Sequence, residues 1–292
     1  MKKCLIVSNG YFDNNSTLTQ RERIKRSLQE YGYLVDEMKS NQVLALIDGE
    51  DIQLKVNDYD FCVYLDKDVL VALMLEKAGI KLFNSAEAIR ICDDKFLTFI
   101  MLSGNNIKMP KTISSPLMYT DNEDKEFLDK VESELGYPVV VKTVYGSMGK
   151  GVYLAKDRKG LDELFLKLRR VPHLYQKFIS KNSGEDIRII TVGGKVVSAI
   201  RRKNANDFRS NVEQGGTGEN VELSNEQIFI AEKISKVLNL DYAGIDIIGD
   251  NLVCEVNSNA FFSEFEKVTG KDVAKEYAKH IINKISKENN HD

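Results

Sequence analysis

The chain has 292 residues, which at roughly 100–200 residues per domain implies about two domains. Apolar residues make up 42% and charged residues 29%, an ordinary balance with ample material for a sizeable core. Lys plus Arg is 41 and Asp plus Glu is 44, a formal charge of −3, so no global attraction to nucleic acid or an anionic membrane follows. Cys4, Cys62, Cys92 and Cys254 lie far apart, and His173, His280 and His291 form no ligand spacing with them. That pattern reads as core thiols in a reducing compartment and speaks against a structural zinc site. The apolar run after Met1-Lys2-Lys3 is too short for a signal-peptide core, and no stretch approaches the roughly 18 residues of a membrane span. A cytoplasmic protein is expected.

Cys4-Leu5-Ile6-Val7, closed by Ser8-Asn9-Gly10, reads as a buried strand and turn. Thr17 to Tyr31 carries a helical stripe of Ile24, Leu28 and Tyr31 that stops at Gly32. Phe61 to Leu65 is a second buried strand, Asp68 is placed to cap a helix from Val69 to Lys77, and Lys81-Leu82-Phe83 is extended. This alternation predicts a small α/β domain with a parallel sheet. Helices follow at Ser85 to Cys92 and Asp94 to Leu102. Beyond Pro110 the pattern changes, with a helix from Asn122 to Leu135, a strand Val139 to Lys142, a glycine-rich loop, and a strand Val152 to Ala155. Asp162 to Arg169 reads as helix, and His173 to Ile179, Asp186 to Val192 and Lys195 to Arg201 as strands, the last two joined at Gly193-Gly194. Phe208 to Asn220 is polar and glycine-rich and predicts a mobile loop. A helix from Asn225 to Leu238, two strands and a terminal helix from Asp272 to Ser286 complete an α+β arrangement.

Three features carry chemistry. Ala243 to Ile248 and Leu252 to Asn257 flank Gly249-Asp250-Asn251. With Asp250-Asn251 as a two-residue turn, Asp246 falls opposite Glu255, and Asn257 shares that face. Facing carboxylates repel, and a hard divalent cation reverses the sign of that interaction. The alternative is one acid solvated at a sheet edge. Gly146-Ser147-Met148-Gly149-Lys150-Gly151 lies between two strands and fails the P-loop pattern, because Val144 and Gly151 occupy the positions of the first glycine and of Ser/Thr. Such a loop either folds its N–H groups over phosphates or is an ordinary hairpin connection. Lys95, Lys142, Arg188, Arg201, Arg202, Lys203 and Arg209 are cations near these features, each of which alone is more often a solvated surface charge.

Taken in order, strand-borne Lys142, the loop Gly146 to Gly151, Gln176-Lys177-Phe178-Ile179, Asp186-Ile187-Arg188, Asp207-Phe208-Arg209-Ser210-Asn211, Ala243-Gly244-Ile245-Asp246 and Glu255-Val256-Asn257-Ser258 resemble the ATP-grasp superfamily. Within it the chain resembles the RimK-type carboxylate–amine (α-L-glutamate) ligases, from about residue 85 to 282, including Asp94-Lys95 and Thr269 to Ala274. The resemblance implies an α/β plus α+β chain of three parts: an N-terminal parallel-sheet α/β domain (1–92), a central lid domain (93–178) and a C-terminal antiparallel-sheet domain (179–292). It implies a ligase using ATP and Mg²⁺, with Mn²⁺ as an alternative, that phosphorylates a carboxylate and passes the acyl group to an amine. The partners are then a small-molecule or peptide carboxylate and an amino acid amine, with no nucleic acid or membrane, and homo-oligomers are common in such ligases. By position, Lys95 and Lys142 would hold phosphate oxygens, Gly146, Ser147, Met148, Gly149, Lys150 and Gly151 would form the lid, and Gln176, Lys177, Phe178 and Ile179 would hold adenine. Asp186 would meet the ribose side. Asp246, Glu255 and Asn257 would ligate the metal, and Arg188, Arg202, Arg209 and Asn211 would face the γ-phosphate and substrate carboxylate. Asn259-Ala260-Phe261-Phe262-Ser263-Glu264 departs from the small residue, proline and glycine usual there, which predicts a different acceptor amine; the two phenylalanines either wall a pocket or pack the last helix. Lys177 replaces the more usual acid. Two further readings remain open: another ATP-grasp bond-forming enzyme of dipeptide-ligase or carboxylase type, and an ATP-binding regulator without turnover.

Overall fold

Buried apolar strands alternating with capped helices build the first layer of the computed structural model, which describes residues 2–56, 58–121, 125–210 and 215–288. Strand β1 (Lys3–Ser8) leads into α1 (Asn15–Glu30), whose cap Asn14 and residue Thr17 bond reciprocally. The chain returns through β2 (Leu34–Lys39), makes an exposed hairpin of β3 (Ala45–Asp48) and β4 (Asp51–Leu54), and re-enters as β5 (Phe61–Leu65). Asp68 caps α2 (Val69–Lys77) as expected, and β6 (Lys81–Phe83) follows. The four strands β2-β1-β5-β6 form a parallel sheet. Ser85 and Asp94 cap the consecutive helices α3 (Ala86–Asp93) and α4 (Lys95–Leu102).

A second, antiparallel sheet has the order β7-β10-β8-β9, from β7 (Thr112–Ser114), β8 (Val139–Thr143), β9 (Val152–Ala155) and β10 (His173–Lys177). Helices α5 (Glu126–Leu135) and α6 (Arg158–Leu168) cover one face, where Val139, Val141 and Tyr175 are fully buried. Part of the helix expected from Asn122 lies outside the described residues.

The third sheet, also antiparallel, runs β13-β12-β11-β14-β15, from β11 (Glu185–Val192), β12 (Lys195–Lys203), β13 (Thr217–Asn220), β14 (Tyr242–Ile248) and β15 (Leu252–Asn257). Alternation divides its faces. Ile189, Ile245 and Ile247 pack with α7 (Asn225–Val237), while Ile190, Ile200 and Tyr242 join the core beneath α8 (Ser263–Thr269) and α9 (Val273–Glu288). That core is continuous with Cys4, Ile6 and Phe61 of the first sheet. Asn84 ties the two together: its amide donates to the Tyr242 and Ser258 carbonyls at 2.8 and 2.9 Å and its oxygen accepts from the Asp241 and Tyr242 N–H groups. Expected as a mobile loop to Asn220, the polar segment instead ends in β13, which pairs Thr217–Asn220 with Ile200–Lys203. Among the described residues no helix is long and apolar enough to cross a membrane.

Candidate active site

Cross-strand pairing in the third sheet lines up a row of charge. Asp186 on β11 faces Arg202 on β12, Arg188 faces Asp246 on β14, and Asp246 faces Glu255 on β15. The turn between β14 and β15 has three residues, Gly249-Asp250-Asn251, not two; Ile248 pairs with Leu252. A bulge that leaves Cys254 unpaired restores the register, so Asp246 still meets Glu255. Two departures from the simple hairpin cancel at the residues that matter.

Arg188 binds Asp246 in a fork, Nε to Oδ1 and Nη2 to Oδ2, both at 2.6 Å. Arg202 donates Nε to Asp186 Oδ1 at 2.8 Å, and its Nη2 bridges to Asp186 Oδ2 and, at 2.9 Å, to Asp246 Oδ2. Ser210 adds a 2.5 Å bond to Asp186. Arg202 and Asp246 are nearly inaccessible, at 2% and 3% exposure, so these charges depend on one another for compensation. Burial pushes the Asp246 carboxyl upward, but Arg188 and Arg202 together hold it below the ordinary range. Burial acts likewise on Glu255, which Lys95 in turn holds low. Lys95 itself is drawn below the usual lysine value by burial, against the pull of Glu255.

The second and third sheets enclose a cleft. Lys142, Val140, Val152 and Gln176 contribute one wall and Asp186, Asp246, Cys254 and Glu255 the other. Lys142 points Nζ to Cys254 Sγ at 3.4 Å. Lys95 reaches Glu255 at 3.5 Å and donates to the Gly146 carbonyl at 2.7 Å. The loop over the cleft needs its glycines: Gly146, Gly149 and Gly151 have positive φ, as does Met148, and a Cβ on Gly151 would collide with Thr143. Arg209 Nη1 donates to the Gly149 carbonyl at 3.1 Å, linking this loop to residues 204–210. At the far end, the Phe178 and Phe208 rings meet edge to face. The Lys177 N–H is spent on the Lys111 carbonyl and the Gln176 amide on Thr112, so Ile179 and the Lys177 carbonyl are what this segment offers a base.

Lys95, Lys142, Ser147, Lys150, Gln176, Phe178, Asp186, Arg209, Asp246 and Glu255 thus border one cleft. The expectation that Asp186 meets a ribose finds its carboxylate held instead by Arg202 and Ser210. Arg188, Met148 and Asn257 face a second cavity, which shares Ser147 and Glu255 with the first. Arg202 opens on neither, and borders a shallow cleft beside Phe261 and Lys267. Asn211 lies outside the described residues. Phe261 walls the second cavity, whereas Phe262 is fully buried against Tyr242, so the two phenylalanines divide the expected roles. Asn9, Arg21, Asp66 and Lys67 also line the second cavity. Sequence reasoning missed them, although Asn9 and Asp66 each follow the carboxyl end of a strand it identified.

The residues fit a hard divalent cation. Asp246, Glu255 and Asn257 carry oxygen atoms on one face, and among the described residues Asp246 Oδ1 accepts only the Arg188 Nε bond, leaving it a lone pair. Asn257 would ligate through its Oδ1, while its buried Nδ2 is a donor without a hydrogen-bond partner among the described residues. Among the described residues no three His, Cys, Asp or Glu side chains cluster as a metal site, so the set stands on the asparagine as its third member.

Residues 92–281 match the RimK-like ATP-grasp domain. N-acetylaspartylglutamate synthase A of Homo sapiens is 37% identical over 218 residues, 72% of this chain and 54% of its own length. The chain thus spans about half the length of that curated relative. An uncharacterized protein of Mycoplasma pneumoniae is 32% identical over 269 residues, 89% of this chain and 92% of its own. D-alanine–D-alanine ligase from Bacillus anthracis superposes with a TM-score of 0.74 at 20% identity, covering 100% of this chain and 99% of its own, a likeness of fold. With its charge row, glycine-rich loop and two cleft lysines lying within that match, the chain belongs to the RimK-like ATP-grasp family.

Proposed function

We propose that the protein is an ATP-dependent carboxylate–amine ligase that joins an amino acid, such as L-glutamate, to a small-molecule, peptide or protein acceptor. The observation that carries this reading is the meeting of two cavities at Glu255 and Ser147, one bordered by Lys95 and Lys142, the other by Arg188 and Asn257. A nucleotide in the first would present its terminal phosphate to a carboxylate in the second. Family membership supports the reaction class, and likeness to the human N-acetylaspartylglutamate synthase A supports glutamate as one product component.

In this reading Lys95 and Lys142 neutralise phosphate oxygens, and the 146–151 loop excludes water. Asp246, Glu255 and Asn257 would hold Mg²⁺, which when bound supplies charge neutralisation between the phosphates. The γ-phosphoryl group moves to the carboxylate, leaving ADP and an acyl phosphate. The amine attacks the acyl carbon, the C–O bond to phosphate breaks, and phosphate leaves with the electron pair as the amine gives up its proton. The protein supplies no covalent nucleophile; position and charge suffice. The domain limits 1–92, 93–178 and 179–292 follow the same reading, with the lid in the middle part. Four cysteines without a disulfide fit a reducing compartment, which we take as the cytoplasm.

Incubation with ATP, Mg²⁺ and mixed amino acids and dicarboxylates tests this. ADP should appear with an equal amount of an amide whose mass is the sum of the two reactants less water. ATP binding without ADP release under every combination would favour a regulator instead.

A further inference from the structure

Residues 204–210 touch both ends of the first cleft and the loop over it. Their backbone is seated on Gly184: the Asn204 N–H donates to the Gly184 carbonyl at 2.9 Å, and a Cβ at Gly184 would run into the Asn204 and Asp207 carbonyl oxygens. Two side chains brace the segment from within, Asn204 Oδ1 accepting from the Asn206 N–H at 3.0 Å and Asp207 Oδ1 from the Arg209 N–H at 2.8 Å. So fixed, it sends three consecutive side chains to three places. Phe208 meets Phe178 at the far end, Arg209 holds the Gly149 carbonyl of the glycine-rich loop, and Ser210 donates to Asp186 Oδ2.

The Ser210 bond is the outer link of a buried chain. Asp186 accepts the fork of Arg202, and Arg202 Nη2 has two hydrogens to give: one goes to Asp186 Oδ2 and the other to Asp246 Oδ2 at 2.9 Å. One nitrogen thus serves two acids. The Ser210 hydroxyl gives Asp186 Oδ2 a second donor; without it, Asp186 is compensated by Arg202 alone and competes harder for Nη2. With it, Arg202 stays shared, and Asp246 Oδ2 is gripped by Arg202 and Arg188 together. Two donors on Oδ2 fix the rotation of the Asp246 carboxylate and leave Oδ1, with its single Arg188 Nε bond, as the oxygen with room for a cation.

We propose that Ser210 is a positioning residue: through Asp186 and Arg202 it sets the Asp246 carboxylate for a divalent cation, and because the adjoining Arg209 holds Gly149, it ties cation binding to the ordering of the 146–151 loop. The proposal rests on the metal assignment within the ligase reading above and adds to it a residue that acts through two others.

The test uses the full chain, in excess over a non-hydrolysable ATP analogue, with Mn²⁺, which takes the same oxygen ligands as Mg²⁺ and whose free concentration is read by electron paramagnetic resonance. Cleavage by trypsin after Lys150 is timed with analogue alone and with analogue plus Mn²⁺. In the wild type the cation should slow cleavage beyond the effect of analogue alone. Ser210→Ala should bind Mn²⁺ about 3- to 30-fold more weakly, with affinity for the analogue alone unchanged, and the cation should no longer slow its cleavage. Ser210→Thr, which keeps the hydroxyl, should recover both. Equal Mn²⁺ affinity in wild type and Ser210→Ala, a folded Ser210→Thr that behaves as the alanine variant, or a wild type whose cleavage ignores the cation overturns the proposal while leaving the ligase reading intact. A wild type that binds the analogue but no Mn²⁺ overturns the metal assignment and the proposal with it. Mn²⁺ binding and protection as expected, with no ADP released from ATP under any pair of substrates, overturns the ligase reading and supports the positioning role. Should Ser210→Ala not fold, Ser210→Cys, whose thiol is a weaker donor, takes its place with the same expected directions.

Discussion

Replacing Arg202 by methionine removes the cation shared by two buried carboxylates. Asp246 keeps the Arg188 fork, but Asp186 retains only the Ser210 bond. Breaking a buried pair of this kind costs about 3–5 kcal/mol. At about 2.1 cal/mol/K of unfolding entropy per residue, a cooperative transition of this chain should move down by about 5–8 °C. The loss has a defined pH dependence. The folded-state pKa of Asp246 is depressed, so its contribution is present above the unfolded value of about 3.9 and lost as pH falls through the lower folded value. The gap between wild type and Arg202→Met should therefore be full at pH 7 and narrow below about pH 4. Arg202→Lys should fall between the two, because a single ammonium cannot fork across both acids. Thermal melts by circular dichroism at neutral and acid pH measure this. A melting temperature unchanged at pH 7, or a gap that persists undiminished at pH 3, would refute the charge-row argument.

Gly151→Ala should raise the KM for ATP and lower stability by about 1–3 kcal/mol, because φ of +76° and the Thr143 hydroxyl both oppose a methyl group there; stopped-flow binding and a melt would check it. Arg209→Ala frees the Gly149 carbonyl and should hasten cleavage by trypsin at Lys150, while nucleotide should restore protection; identical digestion rates would mean that this contact does not hold the loop. Asn84→Ala leaves four buried backbone groups without their partners and should cost about 3–5 kcal/mol in urea unfolding, far more than a surface asparagine.

The sequence made the cores legible where apolar residues ran together or at helical spacing. Cys4–Val7, Phe61–Leu65 and the capped α2 are seen where the pattern puts them. Strand β2 escaped because Leu34–Lys39 buries little besides Val35, and β13 because Thr217–Asn220 is an edge strand with no apolar residue. The hairpin β3–β4 turns at Gly49-Glu50 and went unassigned although Val43-Leu44-Ala45-Leu46-Ile47 is an apolar run, most of whose side chains stay partly or fully exposed. The acidic residues of the site were found from hairpin pairing, correctly placed through a turn and bulge that offset each other. The arginine forks were not legible, since they depend on how β11 meets β12 and β14, which no local pattern specifies. The contribution of Asn9 and Asp66 to the second cavity required knowing that the first sheet abuts the third.

In the proposed reaction Glu255, opposite Asp246 and beside Lys95, would hold the reacting end of ATP through Mg²⁺. Wild type and Glu255→Ala, incubated with ATP, Mg²⁺ and mixed amino acids and dicarboxylates, should be compared by mass spectrometry of product together with ADP release. One ADP per amide is expected from the wild type and neither from a folded Glu255→Ala. Equal turnover by both proteins would contradict it.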